Sequence, residues 1–237
     1  FTCIAEPLED CVVLWDGVLL PGELPVRELS CQLADYQNLG GDVVRLLLRL
    51  PAGRQPRYYA GQYLLLQRAD GEWSAFSLAS APDGGRELEL HVLAREDSVI
   101  ELLAFIRKQG FARIQLPFGD THLAELPDGP LVLIAAGTGM AQMHSLIEHC
   151  RAAGFVHPVH LYWGVRRPED FYQLPHWDEW QGMANLHLHR VVSDVCGWEG
   201  RCGMLHEAVC EDFADLKPLH VYASGSPAMV YGTLDAL

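Results

Sequence analysis

The sequence lacks a long apolar run, an excess of basic residues and any Cys-x-x-Cys pair. No stretch of about 18 apolar residues occurs, so we predict no transmembrane helix and no membrane partner. Lys and Arg number 17 against 31 Asp and Glu, and the net charge of −14 argues against a nucleic-acid partner because it would repel a phosphate backbone. The 11 His residues show no metal-ligand spacing, so no metal site is predicted.

The cysteine pattern argues against a disulfide framework. The 7 Cys residues are an odd number without motif spacing, so we expect mostly reduced thiols and a cytoplasmic protein. Cys196, Cys202 and Cys210 are interpreted as small core or loop residues and not as a redox pair.

Residues 26–118 carry short apolar runs separated by turn residues, a pattern typical of an antiparallel barrel or sandwich. The predicted strands cover residues 29–33, 43–50, 62–66, 75–79 and 88–93, and Asp70-Gly71 is a hairpin signal. Residues 98–108 interrupt this pattern with apolar residues at helical spacing. Ser98 is the predicted N-cap of that helix.

After a turn at residues 126–130, the apolar periodicity changes to strands that alternate with helices. The predicted strands cover 131–136, 159–163, 186–192 and 219–224, and the predicted helices cover 140–153, 169–180, 204–213 and a segment starting near 227. This alternation indicates a parallel sheet covered on both faces. The predicted fold class is therefore an antiparallel β-barrel followed by an α/β parallel-sheet domain. The predicted boundaries are 1–25 for a tail and linker, 26–125 for the barrel and 126–237 for the α/β domain.

Two glycine turns follow predicted strands in the second half. Residues 135–140 read Ala-Ala-Gly-Thr-Gly-Met, and residues 222–229 read Tyr-Ala-Ser-Gly-Ser-Pro-Ala-Met. Glycines allow close approach of a ligand to the backbone, and a helix N-terminus attracts anions. The two turns could line one nucleotide-binding crevice, but each is also compatible with a tight turn that binds nothing.

The strand near residue 76 combines an aromatic side chain with a hydroxyl. Alternation places Phe76, Leu78 and Ser80 on one face and Ser77 and Ala79 on the other. A ring and a hydroxyl suit a flat ring ligand, although periodicity alone predicts no more than a strand.

These motifs, in this order, resemble the ferredoxin–NADP reductase superfamily, particularly its NAD(P)H–flavin reductases and the reductase components of iron–sulfur oxygenase systems. The matching segments are Gly61-Gln62-Tyr63, residues 76–80, residues 116–119, residues 136–139, residues 162–166, Gly197-Trp198-x-Gly200-Arg201 and residues 222–229. The resemblance implies that the barrel binds a flavin and that the α/β domain binds a nicotinamide nucleotide.

The resemblance also assigns roles to individual residues. Phe76 matches the aromatic residue that packs near the isoalloxazine, and Ser77 matches the hydroxyl near flavin N5, which makes Ser77 the candidate catalytic residue. The remaining flavin contacts implied are Leu78, Ala79, His91, Val92, Leu93 and, near the phosphate, Ser98. The nucleotide contacts implied are Gly137, Thr138 and Gly139 for the pyrophosphate, Arg166 and Arg167 for the adenosine end, and Gly225, Ser226 and Pro227 for the nicotinamide end.

Three departures from the family pattern bear on these roles. Ser74 stands where the family has an arginine, the natural bidentate partner of a flavin phosphate. Ser224 stands where many members have a cysteine. The sequence ends at Leu237, before the strand and aromatic tail that relatives carry, and we expect the α/β domain to be incomplete.

The first ten residues resemble the last turn of a plant-type ferredoxin domain. Cys3 is then a candidate iron–sulfur ligand separated from its cluster, because C-x₄-C-x₂-C does not precede it. An ordinary cysteine in a terminal segment is the alternative. An iron–sulfur cluster is expected only if a ferredoxin domain lies upstream.

The function expected from this resemblance is an NAD(P)H-dependent oxidoreductase with bound FAD that passes electrons to an iron–sulfur or oxygenase partner. One alternative is a reductase that uses free FMN, riboflavin or FAD as substrate. Another is a non-catalytic flavin- or nucleotide-binding regulatory module. Arg166 and Arg167 fit either NADH or NADPH, so the sequence leaves this choice open.

Overall fold

The computed structural model describes residues 22–195 and 197–237. The predictions for Cys3 and for most of the 1–25 segment lie outside these residues, as does the prediction for Cys196. Within the described part of the chain, no helix is long and apolar enough to cross a membrane.

The first half forms a six-stranded antiparallel sheet in the order β4-β3-β6-β1-β2-β5. Its strands are β1 (Arg27–Gly40), β2 (Val43–Arg49), β3 (Tyr63–Gln67), β4 (Trp73–Ser77), β5 (Glu87–Leu93) and β6 (Phe111–Phe118). The two edges of the sheet approach each other, since Leu78 bridges to Leu90 and the Ala79 N–H donates to the Glu89 carbonyl at 2.8 Å. Alternate side chains such as Leu46, Leu48 and Leu64 are fully buried inside this barrel-like sheet.

Helix α1 (Asp97–Gln109) packs Leu102, Leu103 and Ile106 onto the barrel core. The prediction that Ser98 is its N-cap was wrong. Glu96 is the extended N-cap residue, and its carbonyl accepts the N–H groups of Val99 and Ile100 at 3.0 Å. Ser98 is therefore the second residue inside the helix.

The second half forms a five-stranded parallel sheet in the order β10-β9-β8-β7-β11. Its strands are β7 (Leu131–Ala136), β8 (Val159–Val165), β9 (Leu186–Val192), β10 (Arg201–Cys202) and β11 (His220–Ser224), and its helices are α2 (Met140–Ala152), α3 (Trp177–Gln181), α4 (Leu205–Asp212) and α5 (Pro227–Ala236). The predicted fold class, a barrel-like antiparallel sheet followed by an α/β sheet, is confirmed.

Alternation along β7 shows why helices cover both faces of the parallel sheet. Leu131 and Leu133 join the core under α2, whereas Val132 and Ile134 join the core under α4. The chain runs from β7 to β8, β9 and β10 on one side and then crosses to β11 on the other. This reversal opens a crevice at the carboxyl ends of β7 and β11, the usual ligand position in open α/β sheets.

The helix predicted over residues 169–180 was wrong. A 3₁₀ turn covers Pro168–Asp170, residues 171–174 belong to no helix or strand, and α3 is the only α-helical part of the predicted range. Pro175 cannot continue a helix, and the Gln173 N–H donates instead to the Leu39 carbonyl at 2.8 Å.

One cysteine interpretation also needs correction. Cys202 is disulfide-bonded in the structure, whereas from the sequence pattern it was interpreted as a small core or loop residue and not as part of a redox pair. Cys210 is free and exposed.

Candidate active site

A cleft of about 760 Å³ lies between the two sheets. Strands β4 and β5 line it from the barrel, and the turns after β7 and β11 line it from the α/β sheet. The cleft therefore occupies the strand-order reversal of the parallel sheet and faces the barrel strand singled out by its aromatic and hydroxyl residues.

The turn after β7 gives the cleft a bare backbone surface. Gly137 has φ of +53°, and a Cβ built on it would meet no atom within 4 Å, so the side of Gly137 that lacks a side chain is open space. Gly139 is different, because a Cβ there would overlap the Ser224 carbonyl. The indole N–H of Trp163 donates to the Gly137 carbonyl at 3.1 Å and holds the turn in place. Thr138 also lines the cleft, and α2 begins directly after the turn with its positive end.

The turn after β11 packs against the first one. Gly225 is close-packed, since a Cβ on it would lie 2.5 Å from the Met229 methyl and 2.8 Å from the Ala136 Cβ. Ser226 is the N-cap of α5, and its hydroxyl accepts the Met229 N–H at 3.4 Å. Gly225 and Ser226 line the cleft, whereas Pro227, the first residue of α5, does not.

The barrel wall of the cleft is largely apolar. Ala75, Phe76 and Leu93 line it together with Ser77 and His91. The other predicted flavin contacts do not line it: Leu78, Ala79 and Val92 are buried in the protein, and Ser98 lies in the first turn of α1. Strand β4 ends at Ser77, and the next two residues are fully buried, so the alternation read from the sequence does not continue beyond the strand.

His91 is held by hydrogen bonds from both halves of the molecule. Its Nε2 lies 2.9 Å from the Glu89 carboxylate, and its Nδ1 lies 3.2 Å from the hydroxyl of Tyr172. Arg45 donates to the other Glu89 oxygen at 2.7 Å. Burial alone would raise the pKa of Glu89, but the hydrogen bonds from His91 and Arg45 outweigh it and lower this pKa to about 2. Burial, together with the Glu89 charge, raises the pKa of Tyr172 well above its ordinary value.

Helix α2 is also bonded to the barrel. His144 Nδ1 lies 2.8 Å from the Ala79 carbonyl, and the Ser145 hydroxyl donates to the Ser80 carbonyl at 2.7 Å. Burial and then the neighbouring His91 lower the pKa of His144, so its ring is neutral at pH 7. These contacts connect the two sheets beside the cleft.

The arginines that line the cleft are paired with carboxylates. Arg166 Nε donates to Asp194 at 3.1 Å, and Arg95 Nε donates to Asp42 at 3.0 Å while its Nη2 bonds Asp170. Arg166 lines the cleft. Arg167 is exposed and does not line it, and its backbone N–H donates to Asp170 at 3.1 Å.

Several cleft residues were missed by the sequence analysis. Asp170 and Tyr172 lie in the segment wrongly predicted as helix, and Ser193 and Met204 follow β9 and β10. Pro175 was the available signal for the first pair, because a proline interrupts a helical pattern. For the second pair, the position after a parallel strand was the signal.

Arg201, part of a motif that carries the family resemblance, has a structural role. Its guanidinium bonds both carboxylate oxygens of Asp212 and, at 3.1 Å, the Ala208 carbonyl. The Tyr162 hydroxyl donates to the same carboxylate at 2.6 Å. Arg201 therefore anchors α4 to the sheet. Among the described residues, no group of three or more His, Cys, Asp or Glu side chains is arranged to hold a metal ion.

Known proteins resemble this chain across both sheets. Residues 133–235 match the oxidoreductase NAD-binding domain family. The chain is 36% identical over 208 residues to the CDP-6-deoxy-L-threo-D-glycero-4-hexulose-3-dehydrase reductase of Yersinia pestis, with 86% of this chain and 62% of the relative covered. It is 34% identical to the NAD(P)H-flavin reductase of Vibrio harveyi, with 83% of this chain and 86% of the relative covered. The crystal structure of the Amycolatopsis cytochrome P450 reductase GcoB superposes with a TM-score of 0.76 at 29% identity, with 90% of this chain and 66% of that one covered.

The extent of these matches differs in an informative way. The chain spans less than two thirds of the Yersinia relative but most of the Vibrio relative. The identity to the Vibrio flavin reductase extends over 86% of that protein, and the reductase structure superposes on 90% of this chain. The similarity therefore includes the barrel-like sheet as well as the nucleotide-binding domain. The chain belongs to the ferredoxin–NADP reductase superfamily.

Proposed function

We propose that this protein is a flavin-dependent NAD(P)H oxidoreductase that transfers a hydride from the nicotinamide to FAD and passes electrons to an iron–sulfur or other acceptor. The observation that carries the proposal is the shared cleft. Phe76 and Ser77 face the same space as the glycine turn at Gly137, so a flavin on one wall and a nucleotide on the other would meet. We assign the flavin to residues 26–125 and the nucleotide to residues 126–237.

The barrel wall fits the ring system of a flavin. An isoalloxazine is flat, with one apolar edge and polar atoms along the other. Phe76 and Leu93 offer apolar contact, and the Ser77 hydroxyl can donate or accept a hydrogen bond. His91 has both ring nitrogens engaged by Glu89 and Tyr172, so it would present its ring surface to a ligand.

The α/β wall fits a pyrophosphate. The open side of Gly137 leaves room for phosphate oxygens beside the backbone, and the positive end of α2 favours their negative charge. The Trp163 hydrogen bond fixes this surface before a ligand arrives.

The protein contributes mainly position. A bound flavin supplies the redox chemistry, since it accepts a hydride from a reduced nicotinamide and releases its electrons singly or as a pair. Ser77 would orient the reacting edge of the flavin through its hydroxyl, and the turn at Gly225 and Ser226 would set the nicotinamide against it. The apolar cleft wall would exclude water from the reacting atoms.

The electron acceptor is proposed from the sequence at the N-terminus. The ferredoxin-like segment containing Cys3 favours an iron–sulfur partner, supplied by an adjoining domain or by an oxygenase component. A cytoplasmic location belongs to the same proposal.

A second candidate is a reductase that releases reduced flavin as a product. Ser74 replaces the expected phosphate-binding arginine and does not line the cleft. Arg95, the arginine on the barrel side of the cleft, is already bonded to Asp42 and Asp170. Loss of a dedicated phosphate contact would weaken FAD binding and favour exchange of the flavin.

Absorption spectra and one assay separate these functions from a non-catalytic module. Purified protein with stoichiometric flavin absorbance, bleached anaerobically by NADH or NADPH, supports the bound-FAD enzyme. Colourless protein that catalyses NAD(P)H oxidation only with added flavin supports the second candidate. Colourless protein that reduces neither flavin nor an artificial acceptor such as ferricyanide contradicts both enzyme functions.

A further inference from the structure

We infer that a second pocket, at the end of the barrel away from the cleft, binds a small molecule that carries linked phosphate groups, such as a diphosphate. This inference goes beyond the proposed function and does not depend on it. The pocket has a volume of about 430 Å³. The described residues that line it are Arg27, Gly53, Arg54, Gln55, Arg57 and Arg86.

The arginines of this pocket differ from most others by lacking a counter-charge. Elsewhere in the part of the chain that the structure describes, arginines form ion pairs with carboxylates or lie over aromatic rings. The described arginines with neither contact are Arg27, Arg54, Arg57, Arg86 and Arg167, and all of these except Arg167 line the pocket. Its lining, as far as the structure describes it, includes no carboxylate.

This grouping of charge has an electrostatic cost. Guanidinium groups around one small space repel each other, and no lining carboxylate offsets the repulsion. The cost stands out in a chain with 31 Asp and Glu against 17 Lys and Arg. An anion bound between the arginines would turn this repulsion into attraction.

The loop over residues 51–57, which connects β2 to β3 and carries two of these arginines, is anchored at both ends. At its start, the Leu50 N–H donates to the Arg86 carbonyl at 2.8 Å. At its end, the buried Tyr58 donates its hydroxyl to the Ala81 carbonyl at 2.8 Å. The first of these bonds also places Arg86 directly beside the loop.

The backbone positions of the other arginines are equally well defined. Within the loop, the Arg54 N–H donates to the Pro51 carbonyl at 3.1 Å and closes a turn, in which Gly53 has φ of +77°. Arg27 begins β1 and pairs with Leu116 on β6. Binding of an anion would therefore have to order the exposed arginine side chains but not the backbone that carries them.

The lining favours a phosphate chain as the ligand. A guanidinium group binds phosphate oxygens through two parallel hydrogen bonds, and several such groups together match the multiple charges of a diphosphate better than a single carboxylate. No aromatic or aliphatic side chain among the described residues lines the pocket, whereas protein interfaces are usually centred on such anchors. A small ligand also avoids the long-range repulsion that the net charge of −14 exerts on a larger polyanion.

The pocket is distinct from the cleft. In the pairing of β2 with β5, Val43 and Leu93 at one end line the cleft, whereas Arg49 and Glu87 pair at the other end, next to Arg86. Each strand has seven residues and therefore spans about 20 Å. A diphosphate bound here would not occupy the position proposed for the pyrophosphate of the nucleotide.

The test is calorimetric titration of the protein with inorganic pyrophosphate at pH 7.5 and low ionic strength, with sulfate and an eight-residue glutamate peptide as comparison ligands. The variants are the double substitution Arg54→Gln/Arg57→Gln and the single substitution Arg86→Gln. The control is Lys108→Gln/Lys217→Gln, which removes the same charge as the double variant from exposed positions outside the pocket. Circular dichroism confirms that each variant is folded.

We expect the wild type to bind one pyrophosphate with a Kd of about 0.1 mM or tighter, and at least tenfold more tightly than sulfate. Both arginine variants should weaken pyrophosphate binding about tenfold or more, and the lysine control should stay within about twofold of wild type. Saturation with pyrophosphate should leave the Kd for NADH unchanged, because the two sites are separate.

Four outcomes would overturn the inference. No binding of pyrophosphate, or equal binding of sulfate, would show that the arginines do not form a phosphate site. Unchanged pyrophosphate affinity in both folded arginine variants, or displacement of pyrophosphate by NADH, would place the anion elsewhere. Tighter binding of the glutamate peptide, lost in the same variants, would indicate an acidic protein partner instead. A pocket unoccupied by pyrophosphate leaves the proposed function intact, since flavin reduction by NADH or NADPH is measured independently.

Discussion

The two glycines of the turn after β7 should respond differently to the same added methyl group. In Gly139→Ala the new Cβ overlaps the Ser224 carbonyl and lies 3.0 Å from the Gly225 nitrogen, so the ends of β7 and β11 must move apart. In Gly137→Ala the new Cβ meets no atom within 4 Å but projects into open space at the cleft. The first substitution therefore tests packing, and the second tests contact with a ligand.

The expected magnitudes follow from these environments. Backbone overlap that no side chain can relieve should cost Gly139→Ala at least about 2 kcal/mol of unfolding free energy. Gly137→Ala should cost roughly 1–2 kcal/mol, because alanine is strained at φ of +53°. Gly84→Ala is the matched control for that strain, since Gly84 has φ of +77°, open space around its Cβ and no place in the cleft.

Urea denaturation and NADH titration give the two measurements. We expect Gly137→Ala to weaken NADH binding more than tenfold while it loses about as much stability as Gly84→Ala, which should bind normally. Wild-type affinity in Gly137→Ala would show that the pyrophosphate does not contact this turn. A Gly139→Ala protein within 0.5 kcal/mol of wild type would refute the close approach of the two turns.

Three further substitutions test the hydrogen bonds of Glu89, the barrel wall of the cleft and the contact that anchors α4 to the sheet. Glu89→Gln should lower the free energy of unfolding by about 2–3 kcal/mol at pH 7. Because the pKa of Glu89 is lower in the folded than in the unfolded state, its contribution is lost as pH falls from about 4.5 towards 2, and the difference from wild type should shrink over that range. Denaturant titrations at several pH values measure this, and the exposed control Glu87→Gln should stay within about 0.5 kcal/mol of wild type. Ser77→Ala should slow anaerobic flavin reduction by roughly 10- to 100-fold in stopped flow with little loss of stability, and an unchanged rate would remove Ser77 from its proposed role. Arg201→Ala should lower the unfolding free energy by about 1–2 kcal/mol, because it removes the ion pair with Asp212. NADH affinity should stay within threefold of wild type, and a large loss of affinity would mean that Arg201 contacts the nucleotide directly.

Local patterns predicted most of the strands and the two glycine turns. The predicted bounds of β7 and β9 match the structure. For β7 the reason is a continuous apolar run followed by turn residues, which determines both ends of a buried strand. The turn at Gly137 was recognisable for the same reason. Strand β6 was not recognised, although Ala112, Ile114 and Leu116 alternate into the core.

Contacts between distant segments could not be predicted in this way. His91 and Tyr172 are 81 residues apart, and nothing near either residue indicates the other. In the non-helical residues 171–174, the Gln173 N–H donates to the Leu39 carbonyl, a long-range partner that local helix propensity does not take into account. The cleft residues that were missed are those placed by such long-range pairing.

The hydrogen bonds that cross between the sheets have a thermodynamic consequence for any ligand of the cleft. His91 with Tyr172 and His144 with Ala79 immobilise both walls during folding, so little conformational entropy remains to be lost when a ligand arrives. Closure of a hinge would have to break buried bonds that water does not replace. Ligand binding should therefore resemble docking to a rigid receptor. The heat-capacity change on binding should be close to the value expected from the apolar area that the ligand covers, without a further contribution from ordering of the protein.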